Sequence, residues 1–301
     1  MFLINLPPPL LERIVQAIKS TDAKSLQTLS LVCQTFLCPT QRQLFGSITL
    51  STHPSPSIPY SPITPPAHLL RLRDILNENP ILVTYIKDFR CIQLDGGLYG
   101  YPFGDWVQKK PWLIHHGLLL VEIIQLLKEY SLLRSFSIIY IPGHVRLKWS
   151  ALQPTLQSTL IRCVFGKPTV TSVTFQGISL PKNILGAFVN LKNLHVKNVA
   201  WSRECTELPL VGAPGRLVHQ LSSLHFTISS APSPLLASLG PEIGDGLTGL
   251  VKLNVELSID VPFSSITLLI SSSNLILDLT VSLPCTCLPP TLLDQTQRYS
   301  L

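Results

Sequence analysis

Residues 170–196 read VTSVTFQGISLPKNILGAFVNLKNLHV, and they hold one pattern twice. An apolar residue, two positions of any kind, a second apolar residue, one free position and a third apolar residue occur at Val170/Val173/Phe175 and again at Leu191/Leu194/Val196. The closing apolar-x-apolar step has the period of a strand that turns alternate side chains to opposite faces. Between the copies, Pro181 to Val189 has the character of a short helix. A strand followed by a helical return cannot bury its apolar face alone and must stack on further copies of itself.

Further copies flank this stretch on both sides. They lie at Ile86/Phe89/Cys91, Leu133/Phe136/Ile138, Leu221/Leu224/Phe226 and Leu250/Leu253/Val255, with a weaker one at Leu277/Leu279. Helix candidates at Leu118–Tyr130, Leu152–Val164 and Pro234–Leu239 fall between them. The intervals run from 21 residues (Val170 to Leu191) to 47 (Ile86 to Leu133), so the repeats are degenerate and carry insertions. Residues 69–301 are therefore expected to form an irregular α/β solenoid like that of leucine-rich repeats, with parallel strands inside and helices outside.

Two other zones precede the repeats. Residues 51–68 are expected to be a linker, because HPSPSIPYSPITPP (53–66) repeats proline, which removes backbone donors and favours extended chain. Ser55, Ser61 and Thr64 each precede a proline, as acceptors of proline-directed phosphorylation do, but such dipeptides are common and a semi-rigid spacer is the favoured reading. Residues 1–50 read as short helices in a small bundle. Leu10, Leu11, Ile14, Val15 and Ile18 recur at helical spacing behind Pro7, Pro8 and Pro9, and Asp22 offers an N-cap for a second helix through Leu26, Leu29 and Val32 to Phe36.

Composition bounds the remaining possibilities. With 46% of its 301 residues hydrophobic and 13% charged, the chain is far from the composition of disorder. Its mean hydropathy of +0.34 raises the question of a membrane span. The best apolar run, Leu118–Leu127, is too short and carries Glu122 and Gln125, so a buried helix is expected and no membrane partner. The prolines also interrupt any signal-peptide pattern. A net charge of +6 without basic clusters beyond Lys109-Lys110 gives no reason to expect nucleic acid. Seven cysteines, an odd and scattered set without CxxC spacing, read as reduced thiols of the cytoplasm or nucleus.

Motifs for catalysis or metal binding do not emerge. The glycines of LDGGLYGYPFGDW (94–106) lack the Lys-Ser/Thr of a phosphate loop, and in Phe165-Gly166-Lys167-Pro168 a proline replaces the metal-binding hydroxyl. Cys33/Cys38 and Cys285/Cys287 have no second pair, and His115-His116 would point apart in regular structure. No catalytic residue, metal site or cofactor is expected.

The first fifty residues resemble the F-box. Leu6-Pro7 followed by Leu10, Leu11, Ile14 and Val15 is similar to the opening of that family, and Asp22-Ala23-Lys24-Ser25-Leu26 through Leu29-Ser30-Leu31-Val32-Cys33-Gln34-Thr35-Phe36 is similar to its second half, with Leu44-Phe45 at the close. Pro9 stands where the family usually has Glu, and Gln34 where it prefers Lys or Arg. Asn79-Pro80 to Tyr85-Ile86-Lys87-Asp88-Phe89 resembles the first repeat of fungal F-box proteins with degenerate leucine-rich repeats. The resemblance implies the substrate receptor of an SCF-type ubiquitin ligase, whose F-box docks a Skp-type adaptor, and through it a cullin, while the repeats hold a protein target.

Two sets of site residues follow. A bundle of this size cannot hide all its apolar side chains, so Leu6, Pro7, Leu10, Ile14, Leu29, Val32, Cys33 and Phe36 are expected to face the adaptor. On the strands, the residues alternating with the apolar ones point to the opposite, polar face, and Asp88, Arg90, Thr174, His195, Lys197, His225, Lys252, Asn254 and Glu256 are expected to meet the target. The alternative is an interaction scaffold built of repeats alone, with the N-terminal helices only covering the open edge of the first repeat.

Overall fold

The computed structural model describes residues 6–21, 23–32, 34–51, 65–94, 112–141, 146–202, 221–228, 251–257 and 278–282. The chain begins with helices α1 (Pro8–Thr21), α2 (Ala23–Val32) and α3 (Gln34–Phe45), followed by strand β1 (Ser47–Ser51), helix α4 (Pro65–Glu78), a 3-10 turn (Pro80–Tyr85) and β2 (Asp88–Leu94). Helices α5 (Trp112–His115) and α6 (Gly117–Tyr130) lead to β3 (Ser135–Ile141), β4 (Leu147–Lys148), α7 (Pro154–Thr159) and a π-helical turn (Leu160–Phe165). Strands β5 (Ser172–Gln176), β6 (Ile178–Pro181), β7 (Asn193–Lys197), β8 (Ala200–Ser202), β9 (Ser223–Ile228), β10 (Lys252–Leu257) and β11 (Asp278–Ser282) complete the order, with a 3-10 turn (Lys182–Ala187) between β6 and β7.

The fold is mixed α/β. Eight strands form one parallel sheet in the order β1-β2-β3-β5-β7-β9-β10-β11, and β4-β6-β8 form a second, smaller parallel sheet. Every repeated apolar motif of the sequence ends in a strand of the large sheet, and the strands pair without slippage. Phe89, Phe136, Val173, Leu194, Leu224, Leu253 and Leu279 share one row, and the residues two further on share the next. A slip of one residue would turn every apolar side chain to the wrong face, so this shared row fixes the register.

Helices cover the apolar face. The buried stripe of α6 (Leu120, Ile123, Ile124, Leu127) belongs to the same core as Phe89, Phe136, Val173 and Leu194. Phe165, on the π-helical turn, is its hub: its ring lies 6.1 Å from Phe136, 6.2 Å from Trp149, 5.9 Å from Phe175 and 4.6 Å from Phe188, the range over which aromatic pairs attract. Lys167 follows two residues later and closes the end of α6. Its Nζ donates to the carbonyls of Leu127 (2.9 Å), Lys128 (3.2 Å) and Ser131 (2.6 Å), placing a cation where helix carbonyls are left over. Burial pushes the Lys167 ammonium below the usual lysine range.

The corners between the two sheets use residues that tolerate a left-handed backbone. Gly177 (φ 66°) joins β5 to β6 and Asn198 (φ 51°) joins β7 to β8, at equivalent places in successive repeats. Arg146, just before β4, reaches past the side-chain-free Gly177. Its Nε and Nη2 both donate to Asn198 Oδ1, at 3.1 and 2.9 Å.

Several elements depart from the sequence reading. Ser47 to Leu50, expected to end the helical zone, and Ser51, expected to open the linker, form a strand of the large sheet that pairs with β2. Pro65 and Pro66, expected in the linker, open α4, since a first helical turn needs no N–H from them. The rest of the Pro-rich segment (52–64) and the helix candidate Pro234–Leu239 lie outside the described residues. Gly46 makes the step from α3 to β1: a Cβ there would come within 2.8 Å of the Arg42 carbonyl oxygen, and the Gly46 carbonyl accepts from Lys87 N and Asp88 N.

Two substitutions test this packing. Phe165→Ala is expected to cost about 3–5 kcal/mol, as large core aromatics do. Gly46→Ala should cost roughly 1–3 kcal/mol through the forced shift. Urea unfolding followed by circular dichroism measures both, and a Phe165→Ala midpoint equal to wild type would refute the hub.

Candidate interaction surfaces

Helix α1 carries two adjacent apolar stripes. Leu11, Val15 and Ile18 repeat at helical spacing, and so do Leu10 and Ile14, one residue earlier and about 100° around the axis. The first stripe turns inward. Leu11, Val15, Leu26 and Phe36 form a core of their own, with Leu6, Ile18, Leu29 and Leu44 packed around it, separate from the core under the large sheet. The second stripe stays in solvent, with Leu10 45% and Ile14 36% exposed, and Leu31 on α2 is 87% exposed.

Polar contacts hold the three helices together from outside. Arg42 Nη1 of α3 pairs with Glu12 Oε1 of α1 at 3.0 Å, and Lys19 Nζ donates to the Gln43 carbonyl at 2.8 Å. In α3, Thr40 Oγ1 donates to the Phe36 carbonyl at 2.6 Å, in the turn interrupted by Pro39. The end of α3 meets the rest of the molecule. Phe45 packs against the main core, and the Arg42 guanidinium lies 5.6 Å from the Tyr85 ring centroid.

The expected adaptor-facing residues thus divide. Leu10, Ile14 and Pro7 are exposed, and the Pro7 carbonyl accepts from the amides of Leu10 and Leu11. Leu6 and Leu29 are half-buried against the bundle core. Phe36 is a correction: at 4% exposure it lies inside the bundle, because a new helix starts at Gln34 and directs this ring at the centre that the smaller side chains leave open. The Val32 side chain and Cys33 lie outside the described residues. Leu31 was not expected. It breaks the spacing of Leu26 and Leu29, and that break was the available signal.

The polar face of the large sheet collects the second set. Arg90 and Lys252 are exposed, while Asp88, Thr174, His195, Lys197, His225 and Asn254 are half-buried; the backbone of Glu256 lies in β10, and its side chain is outside the described residues. Ser137, on the same face between Arg90 and Thr174 in the register, is buried. Ile92 and Ile139 pair on this face at the β2–β3 end and interrupt its polarity. His195 and His225 are register partners, and their rings stack at 4.1 Å with 20° between planes. Alignment of the repeats would have revealed this pair, since each histidine lies four residues after the first leucine of its motif.

The remaining chemistry is sparse. Cys38 is exposed, Cys163 half-buried and Cys91 buried, all as free thiols, and burial pushes the Cys91 thiol upward. His115 and His116 have ring centroids 6.3 Å apart and tilted planes. Among the described residues no three His, Cys, Asp or Glu converge as a metal site, and no helix is long and apolar enough to cross a membrane.

The two α1 stripes give opposite expectations for substitution. Leu11→Ala removes core and should cost about 2–5 kcal/mol, whereas Leu10→Ser and Ile14→Ser should change stability by no more than about 0.5 kcal/mol. Thermal unfolding read at 222 nm separates them; equal losses from both stripes would mean that Leu10 and Ile14 are packed. No protein-family model matches the chain, and the comparison with curated proteins finds no match.

Proposed function

We propose that the chain is a non-catalytic substrate-recognition adaptor of an SCF-type ubiquitin ligase, working in the cytoplasm or nucleus. Helices α1–α3 form an F-box-like domain that docks a Skp-type adaptor. The parallel sheet with its helices is a degenerate leucine-rich-repeat solenoid whose polar face holds a protein target.

The observation that carries this reading is the second stripe of α1. Leu10 and Ile14, with Leu31 on α2, remain in solvent although the bundle already has a core without them. Apolar side chains grouped on one helix face cost free energy in water, about 25 cal/mol per Å2 of apolar surface, until a partner covers them. The Leu-Pro opening and the Val-Cys-x-x-Phe stretch supply the identity of that partner, a Skp-type adaptor. Sequential strand order, strict register and the Gly177/Asn198 corners support the solenoid.

The rival reading, in which the N-terminal helices only cover the open edge of the repeats, has one observation in its favour. Phe45 and Arg42 at the end of α3 pack on the main core and on Tyr85. That contact occupies the end of α3 and leaves the outer stripe of α1 exposed, so α3 anchors the bundle while α1 remains available.

Co-expression of the full chain with a Skp-type adaptor tests the proposal. Wild type should co-purify with the adaptor, and Leu10→Asp/Ile14→Asp should lower recovery at least tenfold with an unchanged melting temperature. Undiminished recovery of the double variant, or no recovery of wild type, would contradict the docking role.

A further inference from the structure

The fold gathers cations that the sequence scatters. Lys87, Arg134 and Lys192 each sit immediately before a strand of the large sheet, and backbone hydrogen bonds place them in one row. Arg134 N donates to Lys87 O at 2.7 Å, Thr171 N to Arg134 O at 2.9 Å, and Lys192 N to Thr171 O at 2.9 Å. All three side chains are exposed, as is Arg90 on β2. Among the described residues these four make no ion pair: the salt bridges there involve Arg42 with Glu12, and Arg73 with Asp74 and Glu122.

Like charges side by side on neighbouring strands disfavour folding, and the Lys87–Arg134 pair is such a case. Asp88, next to Lys87 in sequence, makes no ion pair with these cations among the described residues, and the chain as a whole carries a net charge of +6. We propose that this row, at the edge where the chain enters the strands of the large sheet, binds an extended acidic segment of a partner protein, which runs across the strands at that edge. The inference goes beyond the target face proposed above, because the row lies one residue before the strands that form that face.

Spacing defines the segment. Adjacent strands are about 4.8 Å apart, so Lys87 and Arg134 lie roughly 5 Å apart along the row and Arg134 and Lys192 roughly 10 Å. An extended peptide advances about 3.3 Å per residue, which matches carboxylates at positions i, i+1 or i+2, and i+4 or i+5. Ser135 and Thr174 supply hydroxyls on the adjoining face. A nucleic acid strand fits less well. Among the described residues this face carries no Phe, Tyr or Trp on which bases stack, and the rings of His195 and His225 already stack on each other.

Fluorescence anisotropy with the full chain tests the inference, using labelled octaglutamate, octaglutamine and oligothymidylate as probes. Octaglutamate should bind, octaglutamine should not, and Lys87→Gln/Arg134→Gln/Lys192→Gln should weaken octaglutamate binding at least tenfold. Raising salt from 0.05 to 0.5 M should weaken wild type similarly, which keeps the test decisive even if the triple variant does not fold. Equal binding by the folded triple variant, salt-independent binding, or tighter oligothymidylate binding with the same dependence on the three residues would overturn the proposal. Adaptor capture in parallel separates the two readings. Capture without octaglutamate binding removes this inference alone, and octaglutamate binding without capture supports it while removing the ligase role.

Discussion

The register of one parallel ladder governs the rest of the molecule. Each strand places its two apolar residues beside those of its neighbours, from Ile48 and Leu50 in β1 to Leu279 and Val281 in β11. From Leu50 in β1 to Leu224 in β9 the apolar rows share one core with the helices, and backbone hydrogen bonds between strands prevent slippage that would carry them into water. The consequences follow directly. The opposite face is mainly polar, interrupted at Ile92 and Ile139, the corners bend at Gly177 and Asn198, and residues far apart in sequence lie side by side. The stacked histidines and the cationic row both arise this way.

The N-terminal helices obey a different constraint. Three short helices provide little interior, and Leu11, Val15, Leu26 and Phe36 fill it. The second stripe on α1 cannot enter the same core, because residues one position apart on a helix point about 100° apart. That stripe is therefore left for an external surface. The distinction between the residues that fill the bundle and those left exposed is a matter of helical phase, since the side chains themselves are chemically alike.

Much of this was legible in the sequence. The apolar-x-x-apolar-x-apolar motif located strands because its spacing is imposed by the pleat, and the apolar run at Leu118–Tyr130 located α6 because helical periodicity is strong over four turns. The strand Ser47–Ser51 is hidden in the sequence. Phe45, Ile48 and Leu50 complete the motif there, but Phe45 also closes helix α3, and the helical pattern that ends on it masks the start of the strand. The inward turn of Phe36 depended on where α3 begins, which propensity alone does not fix. The row of Lys87, Arg134 and Lys192 became visible only when the ladder aligned three repeats of unequal length.

The central claim is that the outer stripe of α1 is a protein-binding surface. Hydrogen–deuterium exchange of the full chain with and without a saturating Skp-type adaptor tests it most directly. The account predicts slowed exchange in the amides of residues 8–18, with the strands of the large sheet unchanged. Identical exchange across residues 8–18 in the two samples would contradict it.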